Sequence, residues 1–263
     1  MSSRALEILR AADAVYAEDT RTTQHLLAHH GIRARLRSLH AHNERAAAAG
    51  LVEALRAGQS IALVSDAGTP GISDPGALAV AAVRAAGLPV VPIPGPSALT
   101  AALSVAGLAG PFAFVGFLPP KPSARRAALE DWRGFAHALV IYEAPHRVLE
   151  CIDDLAAVLG DGRGLLIARE LTKLHEQTHA CTLGEARAWL EADANRQRGE
   201  FVLVVGPPPP ATDEAAAEQA RVLRLLLAEL PLKQAVSLAA AVTGARRNAL
   251  YDLALQWQRE APT

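Results

Sequence analysis

"SIALVSDAGTPGISDPG", residues 60–76, joins an apolar run to a loop too rich in Gly and Pro for a helix or a strand. Residues 65–76 hold three glycines, two prolines and two aspartates. Glycine allows positive φ and close backbone approach, while proline fixes φ, so this composition predicts a rigid, bare loop. The run ahead of it, "SIALVS", predicts a buried strand. The Ala-rich stretch behind it, "GALAVAAVRAAG", predicts a helix that stops at Gly87. Strand, bare loop and helix in that order form the unit of an α/β sheet, whose ligands sit beyond the carboxyl ends of the strands.

The same rhythm extends in both directions. Upstream, "RALEILRAADA" predicts a helix, "AVYAE" a short strand and "HNERAAAAGLVEALRAG" a helix ending at Gly58. Downstream, "PVVPIPG" predicts a third strand that leads into the helix "PSALTAALSVAG", with Pro96 in its first turn. The pattern then restarts. "FAFVGFLPP", "ALVIYEAPHR", "GLLIARELT" and "GEFVLVVG" predict strands, separated by helices over "PSARRAALEDWRG", "VLECIDDLAAVLG" and "LGEARAWLEAD". Alternation of this kind predicts parallel sheets with crossover helices. A boundary near Gly107 to Pro111 divides the chain into α/β domains over 1–108 and 109–207. "PPPPAT", residues 207–212, reads as a stiff spacer. Residues 212–263 read as a small helical extension of three helices, the last two joined at Thr243–Gly244 as a helix-turn-helix or a plain hairpin.

Bulk properties narrow the function. The chain has 263 residues, 51% of them hydrophobic, which is enough for sizeable cores. A net charge of −1 supplies no global field for a polyanion, so nucleic-acid binding would rest on local basic patches. Two cysteines, Cys151 and Cys181, have no C-x-x-C spacing and fit a reducing compartment. With no basic-then-apolar leader and no apolar stretch of membrane-spanning length, the expectation is a cytoplasmic protein without membrane contact. No G-x-G-x-x-G, Walker, G-x-S-x-G or H-E-x-x-H motif is present, which argues against nucleotide hydrolysis and serine or zinc chemistry. Histidines 25, 29, 30, 40 and 42 match no standard ligand spacing, so no metal is expected.

Polar clusters follow the predicted strands, where an α/β sheet places its chemistry. "AEDTR" carries Asp19 and Arg21, and Asp19 or Thr20 also suits the N-cap of "TTQHLLAHHG". "PIPGPSA" offers Pro94 and Gly95 for close backbone approach and Ser97 as a donor for an anion. "YEAPHR" contributes Glu143, His146 and Arg147 beside a rigid proline, and "ARELTKLHE" adds Glu170 and Lys173.

In this order, "AEDTR", "SDAGTPGISDPG", "PIPGPSA", "FVGFLPPK", "YEAPHR", "ARELTK" and "GEFVLVV" resemble the ribose 2′-O-methylating branch of the tetrapyrrole-methylase superfamily. These are class III S-adenosylmethionine-dependent methyltransferases. The likeness runs from about Arg4 to Val205, and the helical tail is similar to that branch's C-terminal extension. It implies two α/β domains with the cofactor in the cleft between them, usually as a homodimer. It also implies a cytidine ribose of the decoding region of small-subunit ribosomal RNA as substrate, free or in the assembled subunit. By the superfamily's cofactor loops, Asp66, Ala67, Gly68, Thr69, Pro70, Gly71 and Ile72, with Pro94, Gly95 and Ser97, are expected to meet S-adenosylmethionine. Members of the branch begin with a strand and a Pro-Ile-Gly-Asn-like loop that this chain lacks, so the first strand is expected to be missing.

A sulfonium methyl is electrophilic by itself, so the protein's task is to align the ribose oxygen and accept its proton. Asp19, Glu143, Glu170 and His146 are the candidate acceptors, with Glu170 or Asp19 favoured. Arg21, Arg147 and Lys173 are candidates for holding flanking phosphates. The basic patches for RNA are Arg33, Arg35 and Arg37; Lys121, Arg125 and Arg126; and Arg246 with Arg247. Two rivals stay open: the same fold acting on a tetrapyrrole or a protein, and a non-catalytic RNA-binding module without a cofactor site.

Overall fold

A computed structural model describes residues 1–209 and 213–260, and carries two sheets and a helical tail. Residues 210–212 of the expected spacer lie outside the described residues. The first sheet is parallel, in the order β2 (Leu36–Ser38), β1 (Ala14–Ala17), β3 (Ile61–Val64). Helices α1 (Ser3–Ala11) and α2 (Thr20–His29) cover one face, where Leu9, Val15 and Leu27 are buried together. On the other face, α3 (Glu44–Arg56) and α4 (Ala77–Ala85) enclose Tyr16, Leu51 and Val83. Both faces are covered, as parallel strands require.

The segment expected as a third strand, "PVVPIPG", is neither strand nor helix, and Val91 is 62% exposed. The physical reason is its prolines: residues 89, 92 and 94 lack the N–H that a ladder needs. Pro96 also stays outside the helix that follows. α5 (Ala98–Ser104) starts after Ser97, which is its N-cap.

The second sheet departs from the parallel expectation. Its order is β4-β5-β8-β6-β7, over Phe112–Phe117, Ala138–Glu143, Phe201–Val205, Gly164–Arg169 and Gln177–Thr182 respectively. Only β4 and β5 run parallel, joined through α6 (Pro122–Glu130); every other pairing is antiparallel. The loop 170–176 is too short for a crossover helix, so β6 and β7 form a hairpin. One face of this sheet packs on α7 (Val148–Leu159) and α8 (Leu183–Glu191), burying Leu139, Ile141, Leu203 and Val205. The alternate residues, Val140, Val202 and Val204, face Ala102 of α5, so a helix that follows the first sheet seals the second.

The tail is α9 (Asp213–Glu229), α10 (Leu232–Thr243) and α11 (Arg247–Glu260), packed on Leu223, Val236, Leu250 and Ala254. Gly244, at φ 70°, makes the left-handed turn between the last two. Among the described residues no helix is long and apolar enough to cross a membrane, and no group of three or more metal-binding side chains occurs.

Candidate active site

The loop 65–76 sits at the carboxyl end of β3 and is held from several sides. Within the loop, Gly71 N–H donates to Pro75 O at 3.3 Å and Ile72 N–H to Thr69 O at 3.2 Å. Glu44, buried at the start of α3, accepts from Gly76, Leu78 and Ala79 N–H at 2.8, 2.8 and 3.2 Å with a single oxygen, Oε1. That carboxylate replaces the partners missing at the head of α4 and fixes where the loop ends. Sequence reasoning missed Glu44, because its partners lie 32 or more residues away.

Two further bonds tie the loop outward. Thr69 Oγ1 donates to Pro96 O at 3.0 Å, joining 65–76 to the expected cofactor loop 94–97. Asp19 N–H donates to Asp66 Oδ1 at 3.1 Å, and Asp66 N–H to Glu18 Oε2 at 3.4 Å, so the loops after β1 and β3 meet. Against the second sheet, a Cβ on Gly116, in the bulge of β4, would lie 3.3 Å from Ser73 Oγ. Ser73 is one of three non-glycine residues at positive φ among the described residues; Glu170 and Thr172 are the others. All three sit in loops of this region, where such strain persists only if the surroundings enforce it.

The opposite wall is built at the matching end of the second sheet, where Glu143, Phe201 and Arg169 are in register. Glu170 Oε1 accepts from Lys173 Nζ at 2.7 Å and from Glu200 N–H at 2.9 Å, and Lys173 Nζ also reaches Glu200 Oε2 at 2.9 Å. Gly199 admits this arrangement: a Cβ there would collide with the Glu170 side chain. Tyr142 Oη accepts from Leu99 N–H at 3.0 Å and ties β5 to α5. Glu143 Oε1 accepts from Ala144 N–H at 2.7 Å and Arg147 Nε at 2.9 Å, with Arg147 Nη2 at 2.6 Å. His146 is exposed in the short 3₁₀ turn Pro145–Arg147.

Electrostatics sort the acids. Asp19 caps α2 by accepting from Arg21 N–H at 2.8 Å, and it pairs with the Arg21 guanidinium at 2.7 Å. The Arg21 side chain thereby holds it at about 2. The Lys173 ammonium and the Glu200 amide likewise hold Glu170 below the ordinary glutamate range. Asp19 and Glu170 are thereby each held ionised beside a neighbouring cation. Asp74 moves the other way, to about 6, because burial and the negative charge of Glu18 disfavour its ionised form; Asp66 and Glu200 act in the same direction and Ser65 opposes them. Asp74 lies in the same loop, beyond the stretch Asp66–Ile72 expected to meet the cofactor.

The RNA patches fare unevenly. Arg125 is fully buried, bonded to Asp154 Oδ2 at 2.6 Å and within 3.4 Å of Glu150, so it faces no RNA. Arg126 is half exposed but paired with Asp154 at 2.8 Å. Arg33, Arg35, Arg246 and Arg247 are exposed, and Arg37 bonds Tyr16 Oη at 3.1 Å.

The chain matches the Tetrapyrrole (Corrin/Porphyrin) Methylases over residues 1–187 and the RsmI C-terminal HTH domain over residues 213–258. It is 49% identical over 259 residues to ribosomal RNA small subunit methyltransferase I of Escherichia coli O157:H7, across 98% of this chain and 91% of that protein. The protein of the same name from Xylella fastidiosa (strain Temecula1) is 50% identical over 255 residues, 95% and 92% of the two chains. Among solved structures, the methyltransferase CobJ overlays with a TM-score of 0.58 at 19% identity, over 81% of this chain and 89% of that one. Uroporphyrin-III C-methyltransferase from Thermus thermophilus complexed with S-adenosyl homocysteine overlays at 0.53 and 21%, over 78% and 90%. At these identities the two structures establish a likeness of fold.

Proposed function

The chain belongs to the tetrapyrrole (corrin/porphyrin) methylase family, and from that premise we propose that it is an S-adenosylmethionine-dependent methyltransferase of small-subunit ribosomal RNA. The observation that carries this reading is its near-half identity, over almost its whole length, to proteins named for that activity. We further assign the methyl to the 2′-oxygen of a cytidine ribose in the decoding region, and the working form to a cytoplasmic homodimer. The tetrapyrrole and non-catalytic readings have no comparable support.

The residues present suit the cofactor. Gly68 and Gly71 stand at φ 72° and 79°, and nothing lies within 4 Å of where a Cβ on Gly68 would be. That is open space against bare backbone. Ser97 caps α5 without spending its hydroxyl on an amide, which leaves a donor for a carboxylate, while Asp66 offers acceptors for ribose hydroxyls. The segments Asp66–Ile72 and Pro94–Ser97 would hold the cofactor, locked together by Thr69 and Pro96. When bound, S-adenosylmethionine supplies an electrophilic methyl on a positively charged sulfur.

The protein's own work is then positioning and proton transfer. Two tied loops and a fixed sheet end restrict how a ribose hydroxyl can approach, and such alignment is worth up to ~7–11 kcal/mol of a barrier. As the hydroxyl oxygen becomes a nucleophile, its proton needs an acceptor whose affinity lies near the working pH. Asp74 meets that condition where Asp19 and Glu170 do not. The charges of Glu18, Asp66 and Glu200 all act on its carboxyl, which sets it where the loops after β1 and β3 come near the start of β8.

The test is transfer from methyl-labelled S-adenosylmethionine to small ribosomal subunits lacking the modification, followed by nuclease digestion and nucleoside mass analysis. Label in 2′-O-methylcytidine is expected. Label on a base, or transfer only to a tetrapyrrole or protein, would refute the proposal.

A further inference from the structure

Glu143 and Arg147 form a pair with an unusual geometry. Arginine and a carboxylate ordinarily meet fork to fork, with both oxygens engaged. Here Arg147 Nε and Nη2 both converge on Oε1, which also takes the Ala144 N–H, while Oε2 is buried without a hydrogen-bond partner. The Glu143 side chain has no exposed surface and that of Arg147 keeps 15%. Arg147 Nη1 has no protein partner among the described residues and is not among the buried unpartnered atoms. One guanidinium edge is thus spent on anchoring and the other faces outward.

The location gives that outward edge a purpose. Glu143 ends β5 opposite Phe201 in the register of β8, next to Glu200. Parallel to β5 runs β4, whose bulge at Gly116 touches Ser73 of the loop 65–76. The turn 144–147 therefore leaves the sheet at the end that meets the cofactor loop. Of the other basic groups at this end, Lys173 is engaged by Glu170 and Glu200, and Arg169 by Arg198 O and His175 O at 2.7 and 3.2 Å.

We infer that Glu143 is a positioning residue, not a proton acceptor, and that it holds Arg147 as an arm receiving a backbone phosphodiester of the RNA beside the methylated ribose. This rests on the RNA reading above. A buried carboxylate sets the guanidinium plane, because swinging Arg147 away would strand its charge. The planar fork then meets phosphate with its direction already chosen.

Binding to small ribosomal subunits as a function of salt, single-turnover methyl transfer at saturating subunits, and S-adenosylmethionine calorimetry test this together. Losing one phosphate contact lowers the slope of log Kd against log salt by about 1. The neutral pair E143Q/R147M, which leaves no buried charge unpaired, should show that drop with cofactor binding unchanged. R147K keeps the countercharge and should weaken subunit binding severalfold. E143Q should also weaken binding in the wild-type background and add nothing when Arg147 is already Met. A wild-type slope in the double variant would overturn the phosphate contact. A slowed saturated transfer in E143Q, persisting in the R147M background, would make Glu143 part of the chemistry. Failure of the wild-type chain to methylate any subunit would instead refute the proposed function, which the binding slopes read separately.

Discussion

Thr69 donates its hydroxyl to the carbonyl of Pro96 at 3.0 Å, and this bond joins two loops 27 residues apart into one surface. Thr69→Val keeps the shape and removes the donor, at a cost of about 1 kcal/mol. S-adenosylmethionine binding should weaken roughly fivefold, the factor that energy converts to, with little change in Tm. Unchanged affinity by calorimetry would mean that the loops are fixed without this bond.

Glu44 satisfies three backbone amides at the head of α4 with one buried oxygen. Glu44→Ala leaves Gly76 and Ala79 N–H buried without an acceptor, and a stranded group of that kind costs about 1–3 kcal/mol. Urea unfolding should show a lower midpoint with an unchanged slope, since the surface exposed on unfolding is the same.

Asp74 gives the chain a pH signature. Its folded value, about 6, lies above the ordinary 3.8, so the folded state holds a proton that the unfolded state releases. The associated stability is complete below about pH 4 and falls as pH rises through about 6. Asp74→Asn should therefore melt above the wild type at pH 7 and level with it near pH 4. The single-turnover rate of the wild type should climb through the same window as the carboxylate ionises. The variant should be slow and flat. A variant with the wild-type rate and pH profile would remove Asp74 from the chemistry.

Arg125 belongs to the interior. Arg125→Ala takes the partner from Asp154 Oδ2 and leaves Arg126 on Oδ1, so with Asp154 5% exposed the loss should fall at or below the low end of the about 3–5 kcal/mol that breaking a buried pair costs. A large fall in the urea midpoint is expected. The salt slope of subunit binding in folded protein should stay at the wild-type value.

What the sequence announced was local. The strand–loop–helix unit at 60–85, the cap at Asp19 and the stop at Gly87 follow from neighbours within a few residues, and the structure has all three. What it hid depended on distant partners. β2 is three residues long with arginine at its centre, and β7 reads Gln-Thr-His-Ala-Cys-Thr, so neither carries a strong apolar signal. Residues 89–95 look apolar enough for a strand, yet their prolines remove the ladder. Arg125 reads as a surface cation until Asp154, 29 residues on, turns it inward. In the site, the loops and their glycines were legible. The pairs Asp19–Arg21 and Glu170–Lys173 are local, but the burial and the distant charges of Glu18 and Glu200 that raise Asp74 were not legible.

The most direct test is titration of S-adenosylmethionine into this chain by calorimetry. The account predicts one site per chain with micromolar affinity, weakened by Thr69→Val. Absence of binding to the folded chain would contradict it, since the loops 65–76 and 94–97 would then hold no cofactor.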